Sequence, residues 1–165
     1  MFGKFRRQAT PAPAEQADPR ARPRIRVRTN FGFDPGKAPS HEMATYDRLG
    51  QTLVATPVVP TLSGPDAAAL ARELVERIEE TAADPEKPAG LRHVVLDLQN
   101  VQYMDSMCVG VLVELLTTLK DAGGGIALVN ASTNIEYLFK LTRLDRVFPI
   151  CRDVMKAIEA VERAG

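Results

Sequence analysis

From Tyr46 onward the apolar residues of this chain recur at two spacings, and the spacing changes several times along the sequence. QTLVATPVV (Gln51–Val59) is short and rich in β-branched residues, which predicts a strand with Pro57 at its edge or end. LSGPDAAALARELVERIEE then switches to a helical period. Ser63 suits the cap, Pro65 the first turn and Asp66 the positive helix end. Leu70, Leu74 and Ile78, with Ala67 and Ala71 beside them, form one apolar stripe, and Arg72 with Glu76 and Glu73 with Arg77 decorate the other faces. ADPEKPAG (Ala83–Gly90) reads as a loop.

HVVLDLQNV (His93–Val101) alternates as a strand with one apolar face and one partly polar face. A helix is predicted over Met107–Lys120, with Leu112, Leu116 and Leu119 buried and Val109 and Val113 sharing that interior. The glycines of AGGGIALVN stop the helix before a buried strand, Ile126–Val129. A short helix follows from near Ser132, with Ile135, Leu138 and Leu141 facing inward. VFPI is a last short strand, and the closing helix carries Val154, Ile158 and Val161 as its stripe. This alternation predicts an α/β fold, a single domain whose central sheet is covered by about four helices.

The first 44 residues do not share this patterning. Pro11, Pro13, Pro19, Pro23, Pro35 and Pro39 interrupt any regular ladder, and apolar residues are too sparse to form a core, so residues 1–44 are expected to be a disordered tail ahead of a domain at 45–165. The zero net charge conceals an asymmetry: residues 1–40 carry +6 and the remainder −6. RPRIRVR (Arg22–Arg28) reads first as a solvated tail, and could pair as an edge strand or lie on an anionic surface. Direct nucleic-acid binding is not expected, since there is no aromatic interleaving and no recognisable module. MFGKFRRQATPAP lacks the apolar run of a secretory signal, and no stretch approaches the roughly 20 apolar residues that span a bilayer, so a cytoplasmic location is expected.

Candidate chemistry is thin. There is no GxGxxG after a strand, no GxxxxGK[ST], no HExxH and no GxSxG. The two cysteines, Cys108 and Cys151, lie far apart in apolar surroundings and read as reduced and buried. No metal site, cofactor or enzymatic activity is expected. What stands out is Asp105-Ser106 at the mouth of an apolar helix. Serine is a favoured helix cap, and Asp105 could be a second one. A helix start also tolerates an added anion, so the same place suits a phosphorylated serine.

The pieces VVLDLQNVQYMDS and IEYLFKLTRLDRVFPI, in that order and spacing, resemble a STAS domain of the anti-sigma factor antagonist type, over roughly residues 45–163. The resemblance implies a sheet covered by helices, a phosphoacceptor at Ser106, an acidic neighbour at Asp105 and a matching acidic position at Asp97. It implies a partner that is both anti-sigma factor and serine kinase, of the histidine-kinase-like ATPase type, bound when the serine is unmodified. The family pattern after the phosphoacceptor is commonly Ser or Thr, then Gly. Met107 and Cys108 stand there instead, and alter the surface that a kinase approaches. The alternative is a STAS scaffold or adaptor, never phosphorylated, in a signalling or lipid-transport complex. Since every apolar stripe follows Tyr46, deleting residues 1–40 is expected to leave the melting temperature unchanged. A drop of many degrees would mean that the deleted segment packs on the domain.

Overall fold

The computed structural model describes residues 42–82 and 90–164. The expected tail, up to residue 41, and residues 83–89 of the expected loop lie outside them. The strands are β1 (Ala44–Leu49), β2 (Thr52–Pro57), β3 (Thr61–Leu62), β4 (His93–Asp97), β5 (Tyr103–Met104), β6 (Gly125–Val129) and β7 (Ile150–Cys151). The α-helices are α1 (Gly64–Ala82), α2 (Ser106–Asp121), α3 (Thr133–Leu141) and α4 (Val154–Ala164), with a 3-10 turn at Leu144–Arg146. Five strands form the main sheet in the order β1-β2-β4-β6-β7. β1 and β2 pair antiparallel, and every other pairing in the sheet is parallel. The α/β reading holds, with four helices on a mixed sheet.

The two faces of the sheet are covered unequally. Leu53, Val94, Leu96, Ile126 and Leu128 pack with α1, α2 and α3 in the larger core. Val54, Val95, Ala127 and Val129 meet only α4, through Ala157, Ile158 and Val161. β4 and β6 are therefore buried throughout, as strands covered on both faces must be. The end of α2 shows why Gly123 and Gly124 stand together. Gly124 N–H donates to Leu119 O at 2.7 Å, Gly123 has φ 75°, and a Cβ on Gly124 would sit 1.8 Å from the Arg92 carbonyl oxygen.

Several expectations need correction. β1 is a strand of its own. It joins β2 through a tight turn at Gly50, φ 61°, and its exposed Asp47, Arg48 and Leu49 hide the alternation that would have marked it. Glu73 and Arg77 do more than decorate α1, because they tie it to β1: Tyr46 Oη donates to Glu73, and the Arg77 guanidinium lies 3.9 Å from the Tyr46 ring centroid. Val113 is exposed rather than inside, and Val111 and Leu115 take the buried positions on α2. Leu141 is also exposed. Phe139 and Phe148 fill that part of the core instead, edge to face with ring centroids 5.4 Å apart. Cys151 is only partly buried.

Two contrasts follow from this packing. Leu112→Ala is expected to cost about 2–5 kcal/mol by denaturant unfolding, the usual range for a buried leucine. Val113→Ala, one residue on but exposed, should stay within about 0.5 kcal/mol. His93 and Thr52 are paired in register under the α4 face, both buried, with His93 Nδ1 and Thr52 Oγ1 lacking partners among the described residues. Burial pushes the His93 pKa below its ordinary 6.5. The fold therefore favours neutral His93, whose contribution is full above about pH 6.5 and is lost as the pH falls further. The melting temperature should drop between pH 7.5 and 5.5, and His93→Gln should flatten that dependence.

Candidate interaction site at the converging starts of α1 and α2

The two segments that lead into α1 and α2 are zipped together just before the helices begin. β3 and β5 pair in parallel, Thr61 with Tyr103 and Leu62 with Met104. Gln102 N–H donates to Pro60 O at 2.8 Å ahead of this pair, and Asp105 N–H reaches Leu62 O at 3.4 Å beyond it. Two helix N-termini are thereby delivered to one place, each with unpaired N–H groups and a positive dipole end.

Asp105 serves both. It has extended backbone angles, φ −84° and ψ 168°, as a cap residue should. One carboxylate oxygen accepts the Cys108 N–H at 2.7 Å, and the other accepts the Gly64 N–H of α1 at 3.0 Å. α1 has its own support from Ser63, whose N–H and hydroxyl both donate to the Asp66 carboxylate, at 3.1 and 2.5 Å. The approach of the two helices is close enough to require glycine: a Cβ on Gly64 would lie 2.6 Å from Met107 Cβ.

Sequence reasoning gave the cap of α2 first to Ser106, and the structure gives it to Asp105. The reason is geometric. The chain is still extended at Asp105 and already helical at Ser106, and only a carboxylate offers an oxygen to each helix. Ser106 is exposed in the first turn, and its hydroxyl makes no hydrogen bond to any described residue. Met107 is 50% exposed and lies against Gly64. Cys108 is fully buried. Burial, with the charges of Asp105 and Asp66 adding to it, pushes its thiol far above the ordinary cysteine range, which leaves no thiolate for chemistry at neutral pH.

Asp105, Ser106, Met107 and Cys108 stand together at the start of α2, and Asp97 stands at the end of β4 with no hydrogen bond to them. It closes the turn after β4, accepting the Gln99 N–H at 3.1 Å and the Asn130 side-chain amide at 3.0 Å, with Asn130 itself at φ 54°. Gly64 and the β3–β5 pair were missed from sequence. Ser63-Gly64-Pro65 reads as a cap, and nothing in it reveals that Gly64 faces Met107. Among the described residues, no group of three or more His, Cys, Asp or Glu is placed to hold a metal ion, and no helix is long and apolar enough to cross a membrane.

The family model for the STAS domain matches residues 51–157. A candidate anti-sigma factor antagonist of Thermotoga maritima is 35% identical over 74 residues, which is 45% of this chain and 66% of that protein. The anti-sigma F factor antagonist of Paenibacillus polymyxa is 29% identical over 70 residues, 42% of this chain and 60% of that protein. The matched stretch thus spans 60 to 66% of the length of these relatives. The crystal structure of a candidate anti-sigma factor antagonist from Thermotoga maritima superposes with a TM-score of 0.61 at 25% identity, covering 73% of this chain and 95% of that one. With more than half of its residues matched by the family model, the chain belongs to the STAS domain family.

Proposed function

We propose that the protein is an anti-sigma factor antagonist switched at Ser106. In this reading the unmodified form binds a partner that is both anti-sigma factor and serine kinase, of the histidine-kinase-like ATPase type, and phosphorylation releases it. The observation that carries this is the division of labour at the start of α2. Asp105 holds the helix, so the neighbouring Ser106 hydroxyl is exposed and has no structural task among the described residues. A phosphate there would add about −1.5 to −2 charges. It would stand next to Asp105, on a surface that is otherwise partly apolar through the exposed Tyr103 and Met107. A partner that docks on this surface would lose apolar contact and meet like charge if it is acidic there. The same exposed Met107 suits the second reading, a STAS scaffold that is not phosphorylated, because it alters the surface that a kinase would approach.

The partner is first isolated by pull-down with unmodified protein and identified by mass spectrometry. Its affinity is then measured by calorimetry. Ser106→Ala should change stability by less than about 0.5 kcal/mol, since no capping bond is lost, and should keep partner binding while abolishing phosphorylation. Ser106→Asp should fold equally well and bind more weakly. Asp105→Ala should cost about 0.5–2 kcal/mol for the lost cap alone, with the Gly64 link lost in addition. Equal affinity of wild type and both Ser106 variants would hand the case to the scaffold.

A further inference from the structure

Residues 41–165 are acidic as a whole, but one stretch of them is not. Residues 137–147 carry three Lys/Arg and one acid, Asp145, while the rest of 41–165 carries nine Lys/Arg and seventeen Asp/Glu. The stretch runs from α3 through the 3-10 turn, at the β7 margin of the sheet. Ile135 and Phe139 point α3 into the core, so its opposite side carries Tyr137, flanked by Lys140 and Leu141. At 66% and 63%, Tyr137 and Leu141 are the most exposed large apolar side chains among the described residues. The turn adds Arg143, Arg146 and the exposed Val147. The edge-to-face contact of Phe139 with Phe148 holds helix and turn against one core, side by side. Arg143 is the informative residue. It has φ 58° and ψ 22°, the left-handed region in which glycine is the usual occupant after a helix. A cation suits the negative end of α3, yet Lys140 already supplies one in the last turn. Among the described residues the side chains of Arg143 and Arg146 form no ion pair and no hydrogen bond, and Lys140 pairs with Glu136 at 3.8 Å.

Exposed apolar side chains set among cations that the fold does not use match a surface that is anionic and apolar at once. A bilayer with acidic headgroups is such a surface. Tyrosine settles at headgroup depth, leucine and valine enter the acyl boundary, and long Lys and Arg stems let their charges reach phosphate. An acidic protein would offer the same charge. The shape of α3 favours the bilayer, because Tyr137 and Leu141 project from the outer side of a helix, whereas the anchors of protein interfaces centre on well-packed pockets. Neither residue lines the cleft of about 260 Å3 that Leu116, Lys120 and Ile126 line. We propose that the outward side of α3 and the turn after it bind an anionic membrane surface, with Tyr137, Leu141 and Val147 at the lipid boundary and Lys140, Arg143 and Arg146 on the headgroups. The contact lies on the domain itself, separate from residues 1–41 and from Ser106, and it stands whether or not that serine is modified.

The chain has no tryptophan, so Leu141→Trp in the full chain places a fluorescent reporter at the patch alone. Its emission should shift to the blue with vesicles of phosphatidylglycerol and phosphatidylcholine in equal parts, and should stay at the solvent-exposed wavelength with phosphatidylcholine alone. Added to this reporter chain, Lys140→Ala and Arg146→Ala should each weaken binding about fivefold, roughly what one cation near an anionic surface supplies. Arg143→Gly should weaken it equally while melting no lower than its parent, because glycine accepts the positive φ without strain. A loss of binding in that variant is therefore not a loss of fold. An equal blue shift with phosphatidylcholine alone would overturn the proposal, and so would no shift with either vesicle, even if residues 1–41 made the chain sediment with them. Soluble poly-glutamate that shifts the reporter as far as the mixed vesicles do would make this a surface for acidic polypeptides and overturn it too. Unchanged affinity of Arg143→Gly would do the same.

Discussion

The carboxylate of Asp105 is the constraint on which the arrangement of this domain turns. Two helices that start side by side bring two positive dipole ends together, with unpaired N–H groups on both. Bound to Cys108 N–H and Gly64 N–H at once, a single anion satisfies one donor of each helix and offsets the repulsion between them. Everything near it is fitted to that bridge. The β3–β5 pair brings the two entering segments level, Gly64 lets the helices approach, and Met107 lies against the space that the missing side chain leaves. Cys108, whose N–H the bridge fixes, starts the buried side of α2 that continues through Leu112, Leu115 and Leu119.

At the other end of the sheet, core packing sets the limit. Phe148 is fully buried edge to face with Phe139, which anchors the chain between α3 and β7 to the larger core. The 3-10 turn at Leu144–Arg146 and the two N–H bonds back to Leu144 O bring Phe148 into that position. A chain held there cannot also run straight along β6, so β7 is only two residues long. The aromatic pair that closes the core is thus also what keeps β7 short.

The sequence was informative wherever burial follows a regular period. α1 and α4 present the expected stripes, Ser132 caps α3 by accepting the Ile135 N–H, and β4 and β6 are apolar because both of their faces are covered. It was less informative where the period is shared between faces. α2 is apolar almost all round, so the sequence alone does not show which valine faces out, and Val113 was placed inside. Leu141 was misplaced because it ends α3, where Phe139 and Phe148 have already filled the core. At the site itself the residues Asp105 to Cys108 were legible, but their roles were not. Aspartate and serine are equally good caps by type, and only the second helix, 41 residues earlier in the chain, decides between them.

The two ends are joined by α2. Ser106 opens the helix, while Leu116 and Lys120, near its far end, line the cleft beneath Ile126. At about 1.5 Å per residue, the 16 residues of the helix hold the two surfaces well over one Debye length apart at physiological salt. On the proposed reading, a phosphate on Ser106 would act locally, beside Asp105, and would not reach Lys120 or Arg146 through the field. Nor does packing transmit it readily, because the buried side of α2 is a continuous apolar contact with no alternative arrangement in view. The physics thus favours independence. On the proposed reading, a change at the single hydroxyl of Ser106 stays at its own end of α2 and leaves the opposite end as it was.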